Sequence, residues 1–333
     1  MSDPVVSVII PCYNEEKTIG LLLDAIACQT FGIAKLEVII ADGNSTDSTL
    51  QVIENYQKSH PALSIRTVGN PKRIIPAALN AAIRNARGEI ITRMDAHSIP
   101  APDYIERSVQ DLLDGKGANV GGVIDIRPGS ANWMGQSIAV ATGHPLGVGD
   151  ARYRWAKEAG PAETVAFGTF RRSTFDQVGL YDESLEINED YELNHRIRQN
   201  GGQIWIDPGI RAVYYSRGDL QSLASQYFSY GFWKVRMLKR YPRSIRLRQA
   251  LPPLFVIGIL MLLLGSIFWF FARILLLILL GTYLVSLLAG SIPAAARHKN
   301  ALMIVGVPLA IMTMHFAWGS GFTWSLLHIG NRN

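Results

Sequence analysis

Residues 5–27 read VVSVIIPCYNEEKTIGLLLDAIA, and a change of period inside them decides the fold. The run VVSVII (5–10) is apolar, β-branched and too short for a helix, so a buried strand is predicted there. Pro11 follows it. From Glu15 onward Ile19, Leu22, Leu23 and Ile26 recur at helical spacing, which predicts a helix over 15–28. The same unit repeats. Strands are predicted at 36–41 (LEVIIA), 63–68 (LSIRTV) and 90–94 (IITRM), and helices at 46–58 and 74–87. Short connections between alternating strands and helices imply right-handed crossovers and an α/β fold with a mainly parallel central sheet.

Ligands of such sheets lie beyond the C-terminal strand ends. Four segments fall there: PCYNEE (11–16), ADGNSTDST (41–49), GNPKR (69–73) and MDAHS (94–98). Asp42 closes a strand beside Gly43, where a carboxylate accepts hydrogen bonds from a nucleotide's base or ribose. Ser45, Thr46 and Asp47 suit the cap of the next helix. Pro11, Asn14 and Glu15 suit a turn and helix start as well as a ligand. Asp95 and His97, two positions apart on what reads as extended chain, present their side chains on one side. Either a cation site or a solvated strand end would look like this. Glu189 and Asp190 open a helical stretch, where carboxylates complement the helix dipole whether or not they do chemistry. No G-x-G-x-x-G follows the first strand, which argues against a dehydrogenase-type dinucleotide site.

The charge is sharply divided. All 27 acidic residues lie at or before Asp219, while 11 of the 32 basic ones follow it, so residues 1–219 carry −6 and the remainder +11. A basic total of this origin is no sign of nucleic-acid binding. Hydrophobicity is divided too, into runs at 251–272, 274–292 (after Arg273) and 301–329. Each has roughly 20 residues, enough to cross a hydrocarbon core of roughly 30 Å. Seven basic residues from Lys234 to Arg248 precede the first run, and Arg297 and Lys299 separate the second from the third. The positive-inside rule then places residues 1–250 in the cytoplasm and the C-terminus outside. No signal peptide is expected at the start, because VVSVII is short and preceded by an acid. Cys12 and Cys28 are expected as reduced, small core residues. The segment 222–242 (SLASQYFSYGFWKVRMLKRYP) is aromatic, then basic, and suits an amphipathic helix in the membrane interface. The expected domains are 1–219, 220–248 for the interfacial helix and 249–333 for the membrane part. TGHPLGVGDARYRW (142–155) has the make-up of a mobile lid, with His144 a loop residue.

VSVIIPCYNEEKTI, ADGNSTDST and RMDAH together resemble the nucleotide-binding half of a family 2 glycosyltransferase with the GT-A fold. The resemblance covers residues 5 to about 245 and is similar to the membrane-attached transferases of exopolysaccharide assembly, such as succinoglycan glucosyltransferases. It implies that Asp95-Ala96-His97 stands where the family's Asp-x-Asp motif holds Mn²⁺ or Mg²⁺ against the donor diphosphate. His97 departs from the usual second Asp. Imidazole suits Mn²⁺ better than Mg²⁺ and loses metal on protonation near pH ~6.5. The resemblance assigns donor contacts to Pro11, Tyr13, Asn14, Glu15, Asp42, Asn70, Lys72, Arg73, Asn80 and Asp95. Asp190 becomes the general base toward an acceptor hydroxyl, with Glu189 beside it.

FGTFRRSTF (167–175) would form part of the acceptor wall, with Gly168 and Thr169 lining it and Arg171 and Arg172 near phosphate or acidic surface. Gln226, Trp233 and Lys234 fall where relatives carry a Gln-x-x-Arg-Trp motif, but spacing and order differ, which argues against a processive synthase. The implied activity is inverting transfer of a sugar, glucose by expectation, from a UDP-sugar to a polyprenyl-diphosphate-linked saccharide at the inner membrane. Transfer onto a polyprenyl phosphate is the alternative within the class. A non-catalytic membrane scaffold with a nucleotide-binding domain is the alternative outside it, and no nucleic-acid partner is expected.

Overall fold

A computed structural model describes residues 4–328 of the chain. The chain divides into two compact units, Met1–Asp125 with Ala151–Tyr214, and Ile126–Asp150 with Tyr215–Asn333. The expected boundary at 219 thus moves a few residues earlier, and residues 126–150 join the C-terminal helices.

The first unit opens with the predicted alternation: β1 (Val6–Cys12), α1 (Ile19–Ala27), β2 (Leu36–Asp42), α2 (Thr49–Ser59), β3 (Ser64–Gly69), α3 (Ile75–Asn85) and β4 (Ile90–Arg93). There follow β5 (Ile99–Pro100), α4 (Tyr104–Leu113) and β6 (Asn119–Arg127). The strands order themselves β3-β2-β1-β4-β8-β6-β9-β5, where β8 is Ala166–Arg171 and β9 is Ile204–Tyr215; a short β7 (Gly160–Pro161) pairs with β9. β1, β2, β3 and β4 are parallel, and β8 runs antiparallel to β4 and β6. The sheet is therefore mixed. Strand order reverses between β1 and β4, so the switch point where such sheets take ligands lies at those two tips. α1 buries Ile19, Leu22, Leu23 and Ile26, the stripe read from the sequence.

At the opposite strand ends a buried carboxylate ties the sheet together. Glu37 on β2 accepts from Ser7 Oγ (2.6 Å), Arg66 Nη2 (2.8 Å) and the Arg87 backbone N–H (2.5 Å). Gly88 follows because a Cβ there would stand 2.8 Å from the Ser7 backbone nitrogen. Cys12 is buried, and burial pushes its thiol up to about 12. Cys28 is exposed at the end of α1, contrary to the expected core position.

The second unit contains α5 (Trp133–Gly143) and α6 (Pro145–Val148), then, beyond α7 (Arg172–Val178) and α8 (Glu189–Gln199) of the first unit, α9 (Leu220–Arg240), α10 (Leu247–Phe268), α11 (Phe270–His298) and α12 (Met303–Leu327). α10, α11 and α12 are each long and apolar enough to cross a membrane. The break between the first two falls at Trp269, four residues before Arg273. That arginine sits in the first turn of α11 and donates Nε back to Ser266 O (2.6 Å), satisfying an end carbonyl of α10 without interrupting α11. Residue 329, the expected end of the third run, lies outside the described residues. Far from forming a lid, residues 142–148 pack within this unit. His144 Nδ1 accepts from Leu146 N (3.1 Å) to cap α6, and Gly147 lies against Met314.

Glu37→Ala strips Ser7 and the Arg87 N–H of their acceptor and is expected to cost about 2–3 kcal/mol, seen as a lowered Tm. Burial alone would raise this carboxyl, but the bonds from Ser7, Arg87 N–H and Arg66 outweigh it and hold it below the usual range. Its contribution is therefore complete above that range and lost as pH falls through the lowered value. The Tm gap between wild type and variant should close on acidification.

Candidate active site

The tips of β1 and β2 are laced to each other by their loops. Asn14, in left-handed conformation (φ 55°), donates its N–H to Ser45 Oγ (2.9 Å) and accepts from Thr46 N–H at Oδ1 (2.8 Å). Glu15 N–H donates to Thr49 Oγ1 (2.8 Å), and Ser48 N–H donates to Glu16. Asp47 accepts from Thr49 N–H, while the N-cap position itself is Ser48 and Ser45 and Thr46 bond to Asp42 and Asn14, in contrast to the capping expected of Ser45, Thr46 and Asp47. Asp42, buried at the end of β2, accepts from Ser45 Oγ (2.6 Å) and Ser45 N–H (3.1 Å). Tyr13 projects from the β1 tip, exposed, with the Arg73 guanidinium 5.7 Å from its ring centre. Gly43 makes room for it, since a Cβ there would stand 3.3 Å from Tyr13 Cβ. Pro11 pairs with Ala41 inside the sheet.

β4 ends at Arg93, and Ser98 N–H donates to Asp95 O (2.9 Å), so Asp95–Ser98 is a turn rather than the extended chain assumed from the sequence. His97 Nδ1 lies 3.0 Å from Glu15 Oε1, which joins the β4 and β1 tips across the switch point. Burial would raise the Glu15 carboxyl, but the hydrogen bonds from His97 and Thr18 outweigh it and hold it low. An ionised Glu15 puts the imidazole proton on Nδ1 and the lone pair on Nε2, the arrangement in which a carboxylate orients a metal-binding histidine. Asp95 accepts at Oδ1 from Arg93 Nε (3.1 Å).

Arg93 was not singled out by sequence reasoning, and it is the hub of the site. Its side chain is buried and reaches three carboxylates: Asp95, Glu189 Oε1 (3.1 Å from Nη1) and Asp190 Oδ1 through a close contact from Nη1. Burial would lower its pKa, yet Asp190, Asp95 and Glu189 keep it well above the ordinary arginine value, so it is charged. Glu189 and Asp190 begin α8 immediately after Asn188, which is left-handed at φ 72°. The Glu189 side chain is 9% exposed and that of Asp190 34%, so Asp190 is the more accessible of the two carboxylates. Burial, with the Asp190 charge beside it, raises the Glu189 carboxyl to about 7. Burial also raises Asp190, against the opposing pull of Arg93, which makes it a stronger base than a free carboxylate.

The segment leading into α8 is held from α3. Asn80 accepts from Tyr181 N–H (2.9 Å) and donates to Tyr181 O (2.9 Å) and Glu183 Oε1 (2.9 Å), while Lys72 Nζ donates to Glu183 Oε2 (2.6 Å). These bonds place Asn80 and Lys72 as supports for the 181–183 segment, in contrast to the donor contacts expected of them. Asn70 donates its N–H to Asp42 O (2.7 Å) and its side-chain amide to Ile74 O (3.1 Å), and so shapes the loop.

Other expected residues lie elsewhere. Thr169 is fully buried, its hydroxyl 3.1 Å from that of Thr92 across β4 and β8. Gly168 accommodates Asn119, whose Oδ1 would lie 2.3 Å from an added Cβ. Neither lines a surface. Arg171 pairs with Ile90, and Arg172 donates to Gly88 O (2.8 Å), both at the N-terminal end of β4 and thus the end opposite Asp95. Gln226, Trp233 and Lys234 belong to the second unit. There Gln226 donates to Tyr230 OH (2.9 Å), Trp233 stacks under the Arg236 guanidinium (5.1 Å), and Lys234 is fully buried with Nζ donating to Ser244 O (3.1 Å).

Among the described residues no three His, Cys, Asp or Glu side chains converge closely enough to cage an ion. Asp95 and His97 supply two protein donors, so a cation held there takes its remaining ligands from phosphate oxygens and water, as hard divalent ions at substrate sites do. The carboxylate and the Glu15-oriented imidazole fit such an ion.

A half-sheet with polar switch-point tips, joined through a buried arginine to a helix-start carboxylate pair, has the build of a GT-A transferase of activated sugars. Residues 7–179 match the profile of Glycosyl transferase family 2. The chain is 30% identical to "Succinoglycan biosynthesis protein ExoA" of Rhizobium meliloti (strain 1021), over 98% of this chain and 96% of that one. It is 28% identical, over 97% of both chains, to the "Dolichyl N-acetyl-alpha-D-glucosaminyl phosphate 3-beta-D-2,3-diacetamido-2,3-dideoxy-beta-D-glucuronosyltransferase" of Methanococcus voltae. In fold it is similar to the mannosyltransferase PcManGT of Pyrobaculum calidifontis, solved with GDP-Man and Mn²⁺. The TM-score is 0.64 at 21% identity, covering 98% of this chain and 88% of that one. The chain belongs to glycosyl transferase family 2 and is a glycosyltransferase.

Arg93→Lys keeps one charge but cannot span three carboxylates. Turnover in a sugar-transfer assay is expected to fall on the order of 10²-fold through misplacement of Asp190, and wild-type turnover would show the bridge to be idle.

Proposed function

We propose that this enzyme is an inverting, divalent-cation-dependent hexosyltransferase. It moves a sugar, glucose by expectation, from a UDP-sugar to a polyprenyl-diphosphate-linked saccharide in exopolysaccharide assembly. The observation that carries the reading is the Arg93 bridge, which puts the base carboxylate of α8 and the Asp95 turn in contact with one guanidinium. Donor and acceptor chemistry need that adjacency, because attack and departure occur at one carbon.

In this reading the Asp42 and Asn70 loops and the Tyr13 ring receive the nucleoside, and Asp95 and His97 hold the cation. When bound, the cation neutralises charge developing on the departing diphosphate. Asp190 Oδ1 is fixed by Arg93, so the acceptor hydroxyl gives its proton to Oδ2. Glu189 shares Arg93 and keeps that oxygen's orientation. A single displacement inverts the anomeric centre without a covalent sugar–enzyme intermediate.

Lipid linkage of the acceptor is supported by three long apolar helices and by the dolichyl substrate named for the Methanococcus voltae relative. Succinoglycan biosynthesis, named for the Rhizobium meliloti relative, supports the exopolysaccharide setting. The run of basic residues before α10 supports a cytoplasmic catalytic unit at the inner membrane.

Asp190→Asn should bind UDP-sugar as wild type does in calorimetry yet lose transfer by about 10²–10⁴-fold; transfer near the wild-type rate would remove Asp190 from the role of base. Chelation with EDTA should abolish turnover and added Mn²⁺ restore it. Turnover that persists in EDTA would dismiss a cation at Asp95 and His97.

A further inference from the structure

The three long helices of the second unit are not equivalent. The most apolar stretch of α10 is 17% buried, that of α11 also 17%, and that of α12 44%. In α10 the buried positions are Gln249, Pro253, Val256 and Ile259, and none follows Ile259. In α11 burial occurs at Ala272, then not again until Leu287, Ser291 and Ala295. Ala272 faces Gly265 of α10. The far half of this hairpin is thus covered by little besides itself; Phe268 is 79% and Phe271 77% exposed. A third helix crossing alongside would cover one flank of that half.

α12 instead meets the hairpin at its near half, where the chain enters α10 and leaves α11. Ser291 Oγ lies 3.3 Å from Ile304 O, and Tyr283 OH lies 2.9 Å from His315 Nδ1. Phe255 packs on Phe316, and Trp318 Nε1 donates to Gln249 O (3.1 Å). Gly319 rests on Pro252, whose carbonyl oxygen would lie 2.6 Å from an added Cβ. From Met303 to Gly319 the helix runs about 24 Å, yet it ends beside the sixth residue of α10. It has not crossed.

α9 fixes the direction. Its last residue, Arg240, is joined to Leu247 by a short connection, and Leu223 near its start shares a cluster with Ala295 and Met303, where the chain leaves α11, so both ends lie at the near side. Its Gln221, Gln226, Lys234, Arg236, Lys239 and Arg240 would each be costly at the centre of a bilayer. α12 lies against α9 over much of its length. Leu223 and Tyr227 share a cluster with Val307, Ile311 and Met314, and further along Gly231 meets the Trp318 carbonyl and Gly321 the Phe228 carbonyl. Two helices packed this way share one orientation.

We propose that only α10 and α11 cross the bilayer, and that α12, with α9 packed on it, lies in the near leaflet and offers its exposed apolar side chains to acyl chains. The end of α12 then lies on the same side as Arg243, opposite to the outside position that the positive-inside rule gives the C-terminus. This inference is independent of the donor and acceptor assigned above.

The test is labelling of the full chain in sealed cells with a membrane-impermeant maleimide, in a Cys28→Ser background. Arg243→Cys marks the near side, Trp269→Cys the far side, and a cysteine appended after Asn333 reports the C-terminus. Each variant is used only if its Tm matches that of the background. The appended cysteine should follow the Arg243→Cys pattern before and after permeabilisation. Labelling with the Trp269→Cys pattern would overturn the proposal, and so would protection from both sides.

Discussion

One guanidinium holds the catalytic half of this molecule together. Arg93 is the last residue of β4, in register with Ile9 of β1, and its side chain closes on Asp95, Glu189 and Asp190. A charge taken out of water costs several kcal/mol unless it is paired and hydrogen-bonded, and the buried Arg93 meets that condition through these three carboxylates. Three carboxylates against one cation leave a surplus of negative charge. Burial and the Asp190 charge push Glu189 toward neutrality in response. Asp190 gains from the same imbalance, because burial raises its basicity while Arg93 keeps its direction fixed.

The bridge depends on the sheet order. Because β4 pairs with β1 on the side away from β2, its tip faces the β1–α1 loop, and Glu15 meets His97 there. The α8 start reaches the same place because Asn80 of α3 imitates a strand partner for Tyr181, taking its N–H and carbonyl together. Glu37 fastens β1, β2 and the turn before β4 at the other end of the strands.

Periodicity carried the first four strands and three helices, since apolar patterns at spacings of two and 3.6 are local properties. Asp95, His97 and Asp190 stood out in the sequence as polar groups at strand tips and helix starts against apolar flanks. Arg93 was hidden inside IITRM, where it reads as one more strand residue. The signal available was a charge in an otherwise apolar four-residue strand, since buried charges require partners. Those partners are nearly a hundred positions away in sequence. Arg171 and Arg172 misled for the converse reason: adjacent arginines suggest phosphate, but the antiparallel pairing of β8 with β4 carries them to the other end of the sheet. Lys234 misled similarly, because a lysine in a basic helix reads as exposed until its neighbours bury it.

The charge division acquires a physical meaning in the second unit. Asp219, the last carboxylate of the chain, accepts from Ser222 N–H and Oγ and so fixes the start of α9 at its positive pole. Beyond it the chain has only basic charges, and Lys239 and Arg240 stand at the negative pole of the same helix. A helix balanced in this way needs no acid further along it. Acids there would cancel an attraction worth about 1 kcal/mol per basic residue near an anionic leaflet. The absence of carboxylates after Asp219 is thus what a helix lying along a charged surface requires.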